Sequence, residues 1–185
     1  MMPEQEVLPS VLIRKPELAD GKSIYSLVSQ CPPLEVNSLY SYLLICSHFD
    51  ATSAVAEINQ ELVGYTSGYL NPHKCDTIFI WQVAVRKDVR DSGIAQKMLL
   101  DILKRKDLNK VKYIETTVTP ENMASKFFFN RIAAKMDVDI KEIPFFVQDD
   151  FGKLKHPEEH LISIGPLSLP KSVVEDRDVN SLLEN

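Results

Sequence analysis

Glycine is scarce in this chain, six in 185 residues, and cysteine scarcer still at three. Cys31, Cys46 and Cys75 are odd in number, widely spaced and without a CxxC pair, which argues against a disulfide framework and against a zinc knuckle. No apolar run approaches the roughly 18 residues of a membrane helix, and the opening MMPEQEVLPS has neither a basic n-region nor an apolar h-region. Neither a membrane span nor a signal peptide is expected, and a cytoplasmic location follows. Positive charge is also in deficit. Lys and Arg total 21 against 26 Asp and Glu, a net charge of -5, which opposes the broad basic footprint that nucleic-acid binding normally needs. A cationic or small-molecule substrate fits better than a nucleic acid or a membrane.

What is present is an ordinary folded composition, 44% hydrophobic and 25% charged, in about one domain's length. There is no internal repeat and no low-complexity tract. The chain divides into an N-terminal extension (1–10), one domain (11–165) and a C-terminal tail (166–185).

The pattern begins with VLIRK (11–15), a short β-rich run that Pro16 ends. ELADGKSIYSLVSQ then places Leu18, Ile24, Leu27 and Val28 at helical spacing. Pro32 and Pro33 bar helix through CPPLEVN, after which SLYSYLLICSHF resumes one, with Asn37 available as its N-cap. SAVAEI, LVGYTSGYL and TIFIWQVAV read as an antiparallel meander, joined by NQE and NPHKCD. From Gly93 the period changes to 3.6, with Ile94, Met98, Ile102 and Leu103 on one face. VKYIETTV returns to strand and ENMASKFFFNRIAAK to helix. IKEIPFFVQ and HLISIGPL predict a final antiparallel pair. The fold class is mixed α/β.

One of the few glycines lies in VRDSGIAQKMLL, between a strand and an amphipathic run. A strand that enters a turn with Gly93 and continues as helix aims the N–H groups of Ser92, Gly93, Ile94 and Ala95 at one point, where the helix dipole favours an anion. Glycine lets the backbone approach a phosphate without a Cβ in the way, and Arg90 adds a charge-assisted contact. Simple turn chemistry is the plainer reading of the same glycine. The stretch is neither GxGxxG nor GxxxxGK[ST], so neither dinucleotide nor nucleotide-triphosphate binding is predicted.

Arg90-Asp91-Ser92-Gly93-Ile94-Ala95 satisfies the R/Q-x-x-G-x-G/A pattern of the GNAT superfamily of acetyltransferases, and the order of elements resembles that family too. The resemblance implies a central, mostly antiparallel sheet with helices on both faces and a splayed parallel pair formed by its fourth and fifth strands. It implies acetyl-CoA as cosubstrate, with main-chain contacts from Val83 and Val85, the pyrophosphate on residues 90–95, and further coenzyme contacts from Asn122 and Ser125. LEVNSLYSYLLICSHF, FIWQVAV and ETTVTPENMASKFFF are more narrowly similar to the branch that acetylates the γ-amine of L-2,4-diaminobutyrate on the route to ectoine. That branch implies a homodimer and no metal.

The reaction implied needs a neutral amine, a proton acceptor and N–H donors for a tetrahedral oxyanion. Glu35, in the segment between the first two helices, is a candidate for holding a substrate ammonium or for catalysis, or else a solvated loop acid. It stands where the branch has Asp. Asn37 and Tyr40 beside it are candidate substrate contacts. Trp81 is either core packing or a wall of the acceptor pocket. Glu115, on one strand face with Tyr113 and Thr117, is either on a wet sheet face or a general base, with Thr117 a polar contact. Many GNAT members have a tyrosine, about seven residues after the helix-starting Asn, that protonates the leaving thiolate. Counting from Asn122 gives Phe129, so that proton must come from water or another group such as Tyr113. HPEEH (156–160) matches the H-x-x-E-H spacing of some zinc peptidases, but Pro157 and the β-rich run from Leu161 deny it a helix. Two other readings stay open: an acetyltransferase for another small amine or polyamine, and an acyl-CoA-binding sensor without catalysis.

Overall fold

A computed structural model describes residues 10–154 and 156–168. The extension before Ser10 and the tail after Ser168 lie outside the described residues. The elements run β1 (Leu12–Arg14), α1 (Gly21–Ser29), α2 (Leu39–His48), β2 (Ala54–Ile58), β3 (Glu61–Leu70), β4 (Thr77–Val85), α3 (Ile94–Leu103), β5 (Tyr113–Val118), α4 (Met123–Met136), β6 (Ile140–Phe146) and β7 (Glu159–Ile164). Seven strands form one sheet in the order β1-β2-β3-β4-β5-β7-β6. The mixed α/β class and each strand expected from the sequence are present.

Two compact units are distinguished. The described residues up to Thr66 form one with Gln82–Asp101, and Ser67–Trp81 form the other with those from Ile102 onward. In the first, Ile24, Leu27 and Val28 of α1 and Tyr42, Ile45 and Cys46 of α2 are buried with Val55, Tyr65 and Ala84. Each helix reaches that core at i, i+3, i+4 spacing, the stripe one helical face provides. Leu18 departs from the expectation. It lies in a 3-10 turn (Leu18–Asp20) ahead of α1 and is 60% exposed, because the helix begins only at Gly21.

The N-cap of α2 is Ser38 rather than Asn37. The Ser38 side chain accepts from the Ser41 N–H at 3.2 Å, so the polar residue nearest the first helical turn takes the role. The β2–β3 connection is a two-residue turn, Asn59 and Gln60 at φ 51° and 67°, the positive-φ geometry that matches strand twist. On the other face of β3, α3 packs closely. A Cβ built on Gly64 would lie 2.9 Å from Ala56 Cβ, 2.9 Å from Ile94 Cγ2 and 3.0 Å from Met98 Cε, so only glycine fits there.

In the second unit β5 pairs β7 from Ile114–Ile164 to Val118–His160, and β6 pairs the far side of β7, both antiparallel. The sequence predicts the β6–β7 pair but not that β7 inserts between β5 and β6. The parallel β4–β5 ladder has only three pairs, Thr77–Tyr113, Ile78–Ile114 and Phe79–Glu115. It stops although β4 continues to Val85 and β5 to Val118, which is the splay expected of this pair.

Candidate active site

The turn after β4 is built from main-chain conformation. Residues Lys87–Val89 make a 3-10 turn, Arg90 is extended, Asp91 and Gly93 take φ of 64° and 78°, and α3 begins at Ile94. The Gly93 carbonyl accepts the first helical bond from Lys97 N–H at 2.9 Å, so the leading amides of α3 have no partner within the helix. A Cβ built on Gly93 meets nothing within 4 Å, leaving the approach to these donors open. Ser92 Oγ donates to the Val89 carbonyl at 2.6 Å and Arg90 Nε to the Val85 carbonyl at 3.1 Å, which holds the turn in shape. Ile94, 2% exposed, anchors the helix start in the core, while residues 90–93 are exposed and Ala95 is half-buried.

The Val85 carbonyl also accepts from Cys31 Sγ at 3.5 Å, so what Val85 offers a ligand is its N–H. Val83, two residues earlier, is half-buried. These geometries suit a diphosphate and an extended amide-bearing arm: open N–H donors at a helix start, and a strand whose ladder with β5 has already ended.

The segment before α2 is fixed to β4 by two buried side chains that sequence reasoning missed. Gln82 Nε2 donates to the Glu35 carbonyl at 2.8 Å, Tyr42 OH donates to Gln82 Oε1 at 3.4 Å, and the Asn37 N–H donates to Tyr42 OH at 3.1 Å. A glutamine within the apolar FIWQVAV was the available signal, since a buried amide must find partners. Glu35 and Tyr40 are exposed and Asn37 is half-buried.

In the second unit Glu115 is buried, correcting the wet-face reading. Its carboxylate accepts from Lys74 Nζ at 2.6 Å, with the Lys74 side chain 51% exposed and that of Glu115 7%. Lys74 comes from the β3–β4 turn, which Asn71 shapes by accepting from the His73 N–H through its side chain and from the Lys74 N–H through its carbonyl. Tyr69 stacks on Phe79 with ring centroids 5.2 Å apart. Burial, and then the charge of Glu115, push the Tyr69 phenol above its ordinary range. Trp81 is 49% exposed, so it is not a core residue; Thr117 is half-buried opposite Leu161.

Asn122 caps α4, its Oδ1 accepting from the Ser125 N–H at 3.1 Å. That carbonyl oxygen is committed to the helix, which leaves the amide donors for a ligand. Phe129 is 3% exposed in the core beside Ile132 and Ala133. A cavity of about 460 Å³ is lined by Glu121, Gln148, His156, Pro157 and Glu158. HPEEH therefore contributes to a cavity wall. His156 stacks on Phe151 at 4.1 Å, and among the described residues no group of three or more His, Cys, Asp or Glu could hold a metal ion.

A strand that parts from its parallel neighbour and ends in an open, glycine-bearing turn at a helix start is the arrangement of an acyltransferase of the GNAT type. The family model described as Acetyltransferase (GNAT) family matches residues 21–133. The L-2,4-diaminobutyric acid acetyltransferase of Methylotuvimicrobium alcaliphilum is 40% identical over 166 residues, 90% of this chain and 96% of that protein. The enzyme of the same name from Virgibacillus pantothenticus is 41% identical over 152 residues, 82% of this chain and 96% of its own. A solved structure of the diaminobutyrate acetyltransferase EctA from Paenibacillus lautus, in complex with its substrate L-2,4-diaminobutyric acid and coenzyme A, is 34% identical. It superimposes with a TM-score of 0.82 over 86% of this chain and 96% of that one. The chain belongs to the GNAT acetyltransferase family and, within it, to the L-2,4-diaminobutyric acid acetyltransferases.

Proposed function

We propose that this protein transfers the acetyl group of acetyl-CoA to the γ-amine of L-2,4-diaminobutyrate, giving N-γ-acetyldiaminobutyrate for ectoine synthesis. The observation that carries this reading is the 34% identity, along nearly the whole of both chains, to an acetyltransferase solved with diaminobutyrate and coenzyme A. The open seat at Gly93 supports the coenzyme part independently.

The site residues take the following roles in this proposal. The N–H groups of residues 92–95 and the Arg90 guanidinium hold the pyrophosphate, with Asp91 shaping the turn through its positive φ. The N–H groups at Val83 and Val85 bind the pantetheine arm, and β4 amides stabilise the oxyanion that forms on the thioester carbonyl. Asn122 and Ser125 add coenzyme contacts. Glu35 pairs with a substrate ammonium, Asn37, Tyr40 and Thr117 make polar contacts, and Trp81 packs on the aliphatic part of the substrate. The neutral γ-amine attacks the thioester carbon. A C–N bond forms, the nitrogen loses a proton to Glu115 directly or through water, and the C–S bond breaks. The departing thiolate takes its proton from water, since Phe129 has no hydroxyl to give.

Residues 11–165 act as one acetyltransferase domain in this reading, working in the cytoplasm as a homodimer. Among the described residues no helix is long and apolar enough to cross a membrane. The test is CoA-thiol release with L-2,4-diaminobutyrate, ornithine, lysine and spermidine in parallel, locating the new acetyl group by NMR. Preference for diaminobutyrate with γ-acetylation is expected. Turnover only with another amine would replace the substrate, and acetyl-CoA binding without release from any of the four would favour a sensor.

A further inference from the structure

Gln82 is the one side chain of FIWQVAV that carries both a donor and an acceptor, and it is 6% exposed. Burying an amide costs free energy unless both ends are bonded, and a leucine would fill the place without that cost. Both ends are spent on the segment before α2. Gln82 Nε2 donates to the Glu35 carbonyl at 2.8 Å, and Gln82 Oε1 accepts from Tyr42 OH at 3.4 Å. Tyr42 OH in turn accepts from the Asn37 N–H at 3.1 Å. The carbonyl of one residue and the N–H of the residue two further on are the groups through which a parallel strand grips its neighbour. Here two side chains grip them, so the main chain of 35–37 is held to β4 without a strand of its own.

Tyr42 is fully buried, with its ring edge-on to Tyr25 and Tyr65 at centroid separations of 6.2 and 5.9 Å. The same segment is tied to β4 again at its start, where Cys31 Sγ donates to the Val85 carbonyl at 3.5 Å. The Glu35 side chain is exposed. An exposed acid thus sits on main chain that is pinned from the buried side, the arrangement of a binding loop on a rigid scaffold.

We infer that Gln82 is a positioning residue that sets substrate length: by holding the Glu35 main chain to β4, it fixes the span between the acid proposed to receive a substrate ammonium and the strand proposed to bind the thioester arm. The inference rests on the function proposed above and adds to it a side chain that acts through another residue. Gln82 is joined directly to Val83, so both halves of the site are measured from one strand. The two nitrogens of a diamino acid stand a fixed number of carbons apart, and a span set in this way suits one chain length. Ornithine is longer than diaminobutyrate by one methylene, a difference that a pocket resolves about 10–200-fold. Loosening residues 35–37 widens the range the acid covers, so affinity for the short substrate falls and the longer one gains relative to it.

Steady-state kinetics of Gln82→Met, which keeps the length and loses both bonds, tests this beside Tyr42→Phe, which removes one hydroxyl and its two bonds. Each variant is expected to raise KM for diaminobutyrate about ten-fold or more and to leave KM for acetyl-CoA within about two-fold. The kcat/KM preference for diaminobutyrate over ornithine should fall at least about five-fold. Tyr42→Phe is the milder change and carries the test if circular dichroism shows Gln82→Met unfolded. Glu35→Gln supplies the diagnostic comparison, because it keeps the carbonyl that Gln82 holds. In that background Gln82→Met should raise KM for diaminobutyrate less than about two-fold further. A fully multiplicative effect, with the preference over ornithine unmoved, gives Gln82 a role in the fold alone and overturns the inference. Equal rises in KM for diaminobutyrate and acetyl-CoA overturn it as well. The wild type separates this from the reading beneath it: no acetylation of diaminobutyrate overturns both together. With γ-acetylation intact, an unchanged KM in Glu35→Gln overturns the part given to Glu35, and that of Gln82 with it.

Discussion

Replacing Lys74 by methionine leaves the Glu115 carboxylate, 7% exposed, without the ammonium that now lies 2.6 Å away. Removing one member of a fully buried pair costs about 3–5 kcal/mol, whereas an exposed pair contributes about 0–1. With one partner buried and the other 51% exposed, the cost falls between these limits, at about 2 kcal/mol. For a chain of this length, that lowers Tm by about 4–8 °C. Glu115→Gln keeps the shape, loses the charge and should cost less. In the double variant the two costs should not add, with a coupling of about 1–2 kcal/mol from thermal or urea unfolding followed by circular dichroism. Additivity within about 0.5 kcal/mol would refute the claim that the two groups act on each other. The same variants divide structure from chemistry. If Glu115 accepts the amine proton, Glu115→Gln lowers kcat about a hundred-fold or more, while Lys74→Met lowers it less than about ten-fold. Equal losses of kcat in both variants would show that Glu115 acts through the fold alone.

Gly93→Ala imposes a side chain on a φ of 78°, so KM for acetyl-CoA should rise about ten-fold or more in steady-state kinetics, with kcat changed less. The cluster of Lys126, Glu142, His160 and Glu158 gives a pH-dependent stability. His160 titrates above its ordinary 6.5, chiefly through its bond to Glu142, and Glu142 below its ordinary 4.5, chiefly through Lys126. The histidine contribution is complete below pH 6.5 and is lost as pH rises through the raised value; the glutamate contribution is complete above pH 4.5 and is lost as pH falls through the lowered one. Tm should therefore fall from pH 6 to 8 in the wild type and less steeply in His160→Gln. Cys75 is exposed, whereas burial pushes the Cys46 thiol up to about 11 and Cys31 is buried. Ellman titration of the folded protein at pH 8 should count one fast thiol, and three only in denaturant.

The strands were legible because their β-branched and aromatic runs are bounded by turn residues, and the turn into α3 because Gly93 separates a period-2 run from a period-3.6 one. Side-chain partnerships across long separations were not. Tyr42 and Gln82 lie 40 residues apart and Lys74 and Glu115 lie 41 apart, and nothing local marks either pair. Asn37 was displaced by Ser38 as the cap of α2 because both residue types accept equally well and only the register of the first turn decides. IKEIPFFVQ read as a strand, but the exposure of its IPFF depends on which strand becomes the edge, a property of topology rather than of the segment.

Gly64 lies on β3, outside the Arg90–Ala95 stretch proposed to hold the coenzyme, yet it acts as a spacer for that stretch. Its missing methyl sets how near Ile94 and Met98 approach β3, and Ile94 is the first residue of the helix whose leading amides are proposed to hold the pyrophosphate. Any larger side chain at position 64 would lift that helix by a fraction of an ångström and carry the donors with it. Displacements of about 1 Å can cost two orders of magnitude in rate where reacting groups are positioned. The tolerance of the proposed coenzyme seat is thus set on a neighbouring strand, by an atom that is not there.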